Sequence, residues 1–371
     1  MLVGAFPPSN SKIVGGIVTS CKYLIDSKLS QDLNLILIDS TQISNPPPPF
    51  YIRLILALKR LFVFSLKIFF KKPDAVLVFC SCGASLIEKG FMLRTASIFK
   101  IPTLVFLRSG YIIENFYASE VFKRITMWAI GNSSSFLCQG KAWQNFAINE
   151  LNYKKENTSI IYNWTASKDL LDVGKNKNNN SLKETTKILF LGWLDEEKGI
   201  FELLDVLKKI SKDFCVELFV AGRGNSERKI RSLVKGNHLE ESVHLLGWVN
   251  ESRKISLLKQ ADIFILPSWA EGFPNALIEA MSAKVAVIAS NVGNIPDVLT
   301  DRQEILLVPP KNNQMLEEAV KFLITNIEFR TSLAEQGYKF ARENFSVDVG
   351  ITKLRENIID TIQINSMQCV E

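Results

Sequence analysis

The stretch "ADIFILPSWAEGFPNALIEAMSAKVAVIAS", residues 261–290, contains two apolar runs, 263–268 and 285–290, with a segment of helical length between them. Neither run alternates apolar with polar residues. Runs of that kind belong to strands covered on both faces, which is the environment of a parallel sheet. Two parallel strands need a long crossover between them, so the stretch reads as a strand–helix–strand unit.

The same pattern repeats to both sides. Upstream in the second half stand "KILFLGW" (187–193), "VELFVAG" (216–222) and "VHLLGW" (243–248), and downstream "EILLVP" (304–309). The first half offers "LVGAF" (2–6), "LNLILID" (33–39), "DAVLVFC" (74–80), "TLVFLRS" (103–109), "SSFLCQ" (134–139) and "SIIYN" (159–163). Six strand candidates in each half predict an α/β protein of two doubly wound, Rossmann-like domains. Between them "VGKNKNNNSLKETTK" (173–187) is polar and has no hydrophobic period. It reads as a linker, with a first domain over 1–172 and a second over 188–345.

A length of 371 residues also favours two cores over one. The net charge of +6 is uneven: residues 1–172 carry 19 Lys+Arg against 11 Asp+Glu, the remainder 25 against 27. A basic first half suits an anionic surface or substrate on that side. Six scattered cysteines without a CxxC pair, and only two histidines, argue against a zinc site and fit a reducing cytoplasm. The start "MLVGAFPPSN" lacks the features of a signal peptide. The longest apolar tract, 54–70, is interrupted by Lys59, Arg60 and Lys67, which argues against a simple spanning helix.

Within the opening stretch the first strand stops near Pro267 and a helix starts near Pro274 or Asn275. Glu271 lies before that helix end and Glu279 about one turn inside it. Gly272 lets the backbone approach a ligand, and a helix N-terminus suits a diphosphate. On spacing alone the two glutamates could equally be solvated or serve the helix dipole. Lys198 and Gly199 fall where another strand gives way to a helix, the place for a phosphate clamp or a solvated charge. Gly222 and Gly224 end a further strand, and Gly15 and Gly16 follow the first. None of these is a GxGxxG, so a dinucleotide dehydrogenase has little support.

Taken together, "GWLDEEKGI", "AGRG", "LGWV", the long stretch from Ala261 and the late "ARENFSV" resemble the family 4 glycosyltransferases. The glutamates at 271 and 279 match that family's E-x7-E pair. The resemblance implies a GT-B fold with a C-terminal helix, about 346–371, returning to the first domain. It implies a retaining transferase that uses a nucleotide diphosphate sugar and neither metal nor other cofactor. The chain also has no DxD motif. Carried over by position, Glu271 holds the sugar beside its anomeric carbon and Lys198 neutralises the leaving diphosphate. Glu279 accepts from ribose hydroxyls. Gly15, Gly16, Gly222, Arg223, Val249, Gly272, Phe273, Pro274, Asn275 and Ala276 complete the donor site.

Two positions depart from the family. Trp193 stands where an arginine is usual, and Arg223 could substitute. "FLRSG" puts Arg108 and Ser109 where many members have a histidine. A guanidinium cannot act as a base, but it can bind an anionic acceptor. The alternative for Arg108 is a structural salt bridge.

On a helix over 51–72, Arg53, Arg60, Lys67 and Lys71 form a stripe, with Ile55, Leu58, Phe62, Leu66 and Phe69 opposite. The stripe suits an anionic membrane surface, or else a solvated face of a helix packed on the sheet. The expected partners are a nucleotide sugar and a glycan or lipid-linked acceptor, not nucleic acid. The setting is cytoplasmic or peripheral at the inner membrane face, in cell-surface polysaccharide synthesis. The rival readings are a non-catalytic nucleotide-sugar-binding or scaffold protein, and another GT-B enzyme such as a sugar-nucleotide epimerase.

Overall fold

A computed structural model describes residues 1–8, 13, 15–44, 48–108, 111–177 and 184–368. Among them, twelve strands form two six-stranded sheets. The first comprises β1 (Leu2–Gly4), β2 (Leu37–Asp39), β3 (Val76–Cys80), β4 (Thr103–Leu107), β5 (Ser135–Cys138) and β6 (Thr158–Ile160), in the order β2-β1-β3-β4-β5-β6. The second comprises β7 (Thr186–Leu191), β8 (Val216–Ala221), β9 (Val243–Gly247), β10 (Ile263–Leu266), β11 (Ala286–Ser290) and β12 (Leu306–Val308), in the order β12-β11-β10-β7-β8-β9. All pairs are parallel, with Val3 opposite both Ile38 and Val78, and Phe264 opposite both Leu189 and Val287. Each expected strand is present.

The reason for the unbroken apolar runs is visible in β3. Val76, Val78 and Cys80 belong to the core on one side of the sheet, with Phe64, Met92 and Phe136. Leu77 and Phe79 belong to the core on the other side, with Leu24 and Trp164. Both faces of the strand are dry, so no position can be polar without losing hydration.

The chain divides into two compact units, Met1–Trp164 with Val347–Glu371, and Thr165–Ser346. The helix Val347–Gln368 thus packs within the first unit, with Ile351 and Leu354 buried in its core. The first division falls before residue 172, where the composition had drawn it, because the helix Lys168–Asn176 packs in the second unit. There Gly174 leaves no room for a side chain beneath Ser282 and Tyr338, and the Tyr338 hydroxyl donates to the Leu171 carbonyl at 3.2 Å. The expected linker is therefore helical up to Asn176 and strand from Thr186, and its residues 178–183 lie outside the described ones.

The tract at 51–72 is the helix Phe50–Lys71. Its two sides are as the period divides them, but the middle of the basic side is turned inward, while Arg53 and Lys71 at its ends stay exposed. Phe64 and Ile68, on the stripe side, are buried in the core. Arg60 makes a two-pronged bond to Glu88 at 2.6 and 3.0 Å, and the Lys67 ammonium donates to the Leu37 carbonyl at 2.9 Å. The side carrying Ile55, Leu58, Phe62, Leu66 and Phe69 is exposed. Among the described residues, no helix is long and apolar enough to cross a membrane.

Candidate functional site

In the second sheet the chain runs β7, β8, β9 outward in one direction and then returns to place β10 on the other side of β7. The carboxyl ends of β7 and β10 are therefore neighbours at the switch point of the sheet, where α/β folds bind ligands. The loop after β7 forms a short turn, Glu196–Lys198, closed by Gly199 at φ 70°. A side chain at Gly199 would collide with the Pro267 carbonyl, so the two loops can lie this close only with glycine there.

Lys198 and Glu271 meet across that contact. The Lys198 ammonium donates to Glu271 Oε1 at 2.9 Å, and Ser268 Oγ donates to the same oxygen at 2.8 Å. Both charged side chains are largely shielded, at 19% and 11% exposure. Trp269, between Ser268 and Glu271, ties the two loops together. Its N–H donates to the Glu197 carbonyl and its indole N–H to Glu202 Oε1, both at 2.8 Å, and the Lys311 ammonium lies 3.9 Å from the ring centre. Gly293, at φ 57°, presses against the Glu271 carbonyl, and the next residue's N–H donates to the Gly272 carbonyl at 2.9 Å. Ser268, Trp269 and Gly293 escaped the sequence reading, though the first two flank a glutamate it chose.

Gly272 and Phe273 lead into the helix Asn275–Ser282, with Pro274 immediately before it and Ala276 in its first turn. Phe273 is buried, its ring centre 5.3 Å from that of Phe345, which anchors the turn. Glu279 is buried within the helix, and its Oε1 accepts from Lys254 at 2.7 Å. Lys254 comes from the helix Glu251–Gln260 and also lies 3.1 Å from Glu251 Oε2. Burial pushes the Glu279 carboxyl upward against the opposing pull of Lys254. For Lys254, burial is outweighed by the two carboxylates, which raise its pKa. No feature of "ESRKISLL" singles out Lys254.

The loops after β7, β8 and β9 are laced by backbone. Gly192 donates to the Ala221 carbonyl at 3.2 Å, Leu194 to Arg223 at 2.9 Å and Gly222 to Gly247 at 2.8 Å. Trp193 packs against Trp248, ring centres 5.8 Å apart, next to partly buried Val249. The Arg223 residue is exposed, and Lys198 has Glu271 as its partner.

The remaining candidates belong to the first unit. Gly15 precedes the helix Gly16–Ile25. Arg108 follows β4, its Nη2 donating to Ser20 Oγ of that helix at 2.7 Å. Its guanidinium carbon lies 5.0 Å from the Phe106 ring centre and 5.6 Å from that of Trp164. Nη1 is buried without a hydrogen-bond partner, and among the described residues no carboxylate pairs with this side chain. The salt-bridge alternative is thus not met there. Burial lowers its pKa to about 10, so it stays a cation at neutral pH. Ser109 lies outside the described residues. Among those described, no group of three His, Cys, Asp or Glu could hold a metal.

Residues 173–340 match the family model described as "Glycosyl transferases group 1". The chain is 30% identical over 237 residues to "Uncharacterized glycosyltransferase MJ1178" of Methanocaldococcus jannaschii, covering 63% of this chain and 62% of that one. It is 27% identical over 215 residues to "Capsular polysaccharide biosynthesis glycosyltransferase CapM" of Staphylococcus aureus, covering 53% and 54%. The chain therefore spans somewhat more than half the length of these curated relatives. Among solved structures, that of Anabaena Alr3699/HepE in complex with UDP has a TM-score of 0.70 at 15% identity, over 97% of this chain and 98% of that one. At that identity the likeness is one of fold. The chain has the two-domain GT-B fold, and its second domain is similar to the group 1 glycosyl transferases.

Proposed function

We propose that the protein is a retaining glycosyltransferase that moves a sugar from a nucleotide diphosphate sugar to a glycan or lipid-linked acceptor in cell-surface polysaccharide synthesis. The observation that carries this reading is the Lys198–Glu271 pair at the switch point between β7 and β10, inside the segment that matches group 1 glycosyl transferases. An incoming diphosphate competes for the ammonium. As Lys198 turns to the phosphate oxygens, Glu271 is released to accept from sugar hydroxyls. Donor binding thus exchanges one ion pair for two charge-assisted contacts.

In the reaction, the bond from the anomeric carbon to the β-phosphate oxygen breaks and a bond to the acceptor hydroxyl forms on the same face. The acceptor proton passes to the departing phosphate oxygen, so no side-chain base is needed. Lys198 and the first turn of Asn275–Ser282 offset the charge that builds on the diphosphate. Glu279 serves the ribose hydroxyls, with Lys254 holding its carboxylate in place. Gly222, Arg223 and Val249 attend the nucleotide, Gly15 and Gly16 the diphosphate from the first domain, and Arg108 with Ser109 the acceptor. The enzyme works at the cytoplasmic face of a membrane.

A non-catalytic nucleotide-sugar binder has one observation in its favour. The ring of Trp193 occupies itself with Trp248 where the resemblance expects a guanidinium. A donor panel separates the two. A thermal-shift screen of UDP-, GDP-, ADP- and CMP-sugars should raise the melting temperature with one base. Turnover of that donor should give a product with the donor's anomeric configuration by NMR. Inverted product defeats the retaining mechanism, and binding without turnover over a broad acceptor panel favours the non-catalytic reading.

A further inference from the structure

The helix Phe50–Lys71 presents its apolar side outward. Ile55, Phe62 and Phe70 are 62%, 65% and 71% exposed, and Leu54, Leu58, Leu66 and Phe69 are exposed with them. The patch continues onto the helix Ala84–Ile98, which packs beside it and exposes Ile87, Phe91 and Ile98, followed by Phe99. The Phe69 and Phe99 rings meet edge-on at 6.4 Å, so the surface is continuous across the two helices. Isolated exposed apolar residues are ordinary, but a contiguous face of this size marks an interaction surface.

The exposed charge on the two helices has one sign. From residue 50 to residue 73 the chain carries six basic residues and no acidic one. Arg53, Lys59, Lys71 and Lys72 are exposed, and so is Lys100 beside Phe99. The one acid of the neighbouring helix, Glu88, is held by Arg60 at 2.6 Å and lies 3.4 Å from the ammonium of buried Lys89. Asp74, the first acid beyond the helix, is exposed; burial lowers the pKa of the Met1 amine to about 6, and the Asp74 carboxylate opposes that shift.

We propose that this two-helix face docks in the interfacial region of an anionic lipid bilayer, with its phenylalanines and leucines inserted and the surrounding lysines and Arg53 at the headgroups. Apolar insertion supplies affinity, and cationic residues favour anionic lipids over neutral ones. This differs from contact through the Arg53–Arg60–Lys67–Lys71 stripe, because Arg60 and Lys67 are spent inside the domain. A protein partner would be expected to meet some acidic or neutral polar rim, whereas every exposed charged residue of the two helices is basic. The inference deepens the proposed reaction by fixing where the enzyme works, and its test needs no catalysis.

Flotation of the full chain with vesicles of phosphatidylcholine, alone or mixed with phosphatidylglycerol, provides that test. The protein should float with the mixed vesicles several-fold more than with neutral ones. Most should remain bound at about 0.5 M NaCl, where the Debye length is only about 4 Å and apolar insertion persists. The pair Phe62→Glu and Phe69→Glu should cut flotation at least tenfold, and the milder Phe62→Ser by a smaller factor. Both should leave the circular dichroism and the nucleotide-induced thermal shift unchanged. Arg53→Glu with Lys71→Glu should cost only a few-fold. The proposal is overturned if nothing floats at low salt, or if the Phe variants float like wild type. Binding that vanishes at 0.5 M NaCl would assign a charge-only contact instead. A dimer broken by Phe62→Glu, without flotation, would assign the face to a second copy. Loss of flotation with the nucleotide shift intact separates this proposal from the fate of the proposed reaction.

Discussion

Lys198 and Glu271 are the pair of side chains on which the proposed chemistry rests. Each is the other's counter-ion, and neither is open enough to water to be a casual surface charge. In the proposed reaction, Lys198 faces a phosphate that gains negative charge only as the glycosidic bond breaks. Lys198→Ala should therefore lower kcat/KM by about 2–4 kcal/mol of transition-state stabilisation, roughly a 30- to 900-fold fall. Steady-state kinetics with saturating acceptor measures this, and a loss of only a few-fold would remove Lys198 from that role. Both residues were legible in the sequence, because each stands at a strand end beside glycine. Their pairing was not, since 73 residues separate them. Ser268 and Trp269 were equally visible as letters, but a serine and a tryptophan at a strand end have too many ordinary uses to be chosen.

At the scale of elements, the helices Glu251–Gln260 and Asn275–Ser282 are joined by a buried ion pair. Removing Lys254 leaves Glu279 in the interior without a counter-charge, which costs about 3 kcal/mol or more near neutral pH. That loss should depend on pH. Burial already raises the Glu279 carboxyl above its ordinary value of 4.5, and without Lys254 nothing opposes the rise. A carboxyl raised in the fold contributes stability while protonated, and loses it as pH climbs through the folded value. Urea unfolding of Lys254→Met should thus show a larger deficit at about pH 8 than at about pH 5.5. An equal deficit at both would mean that Glu279 finds another partner. The helix Phe50–Lys71 carries the complementary lesson. Its period correctly separated a basic side from an apolar side, yet the middle of the basic side faces the domain, while Arg53 and Lys71 at its ends stay exposed. Arg60 and Lys67 can be satisfied there by Glu88 and the Leu37 carbonyl, which the helix's own sequence does not contain.

For the whole molecule, the proposed division of labour places donor chemistry in the second domain and acceptor binding in the first. Arg108 tests it. Its guanidinium has one hydrogen bond to Ser20, a buried Nη1 without a partner and no carboxylate among the described residues. An anionic acceptor, on a diphosphate lipid or with an acidic sugar, would complete it. Arg108→Lys replaces a planar fork with a point charge and should raise the acceptor KM about tenfold or more, leaving donor affinity unchanged. Initial rates against acceptor, beside donor titration by calorimetry, report this, and equal losses on both sides would defeat the division. The sequence by itself determined the twelve strands and their parallel pairing. Uninterrupted apolar runs fit only strands dry on both faces, and that constraint is local. It also displayed the glutamates at 271 and 279 and the lysine at 198. The tertiary structure alone decided the strand order that sets β7 beside β10, the partners of Lys198 and Glu279, the placement of the helix Lys168–Asn176, and which side of Phe50–Lys71 meets solvent. Periodicity fixes the angles between side chains within one element. The rotation and neighbours of that element depend on all the surfaces packed at once.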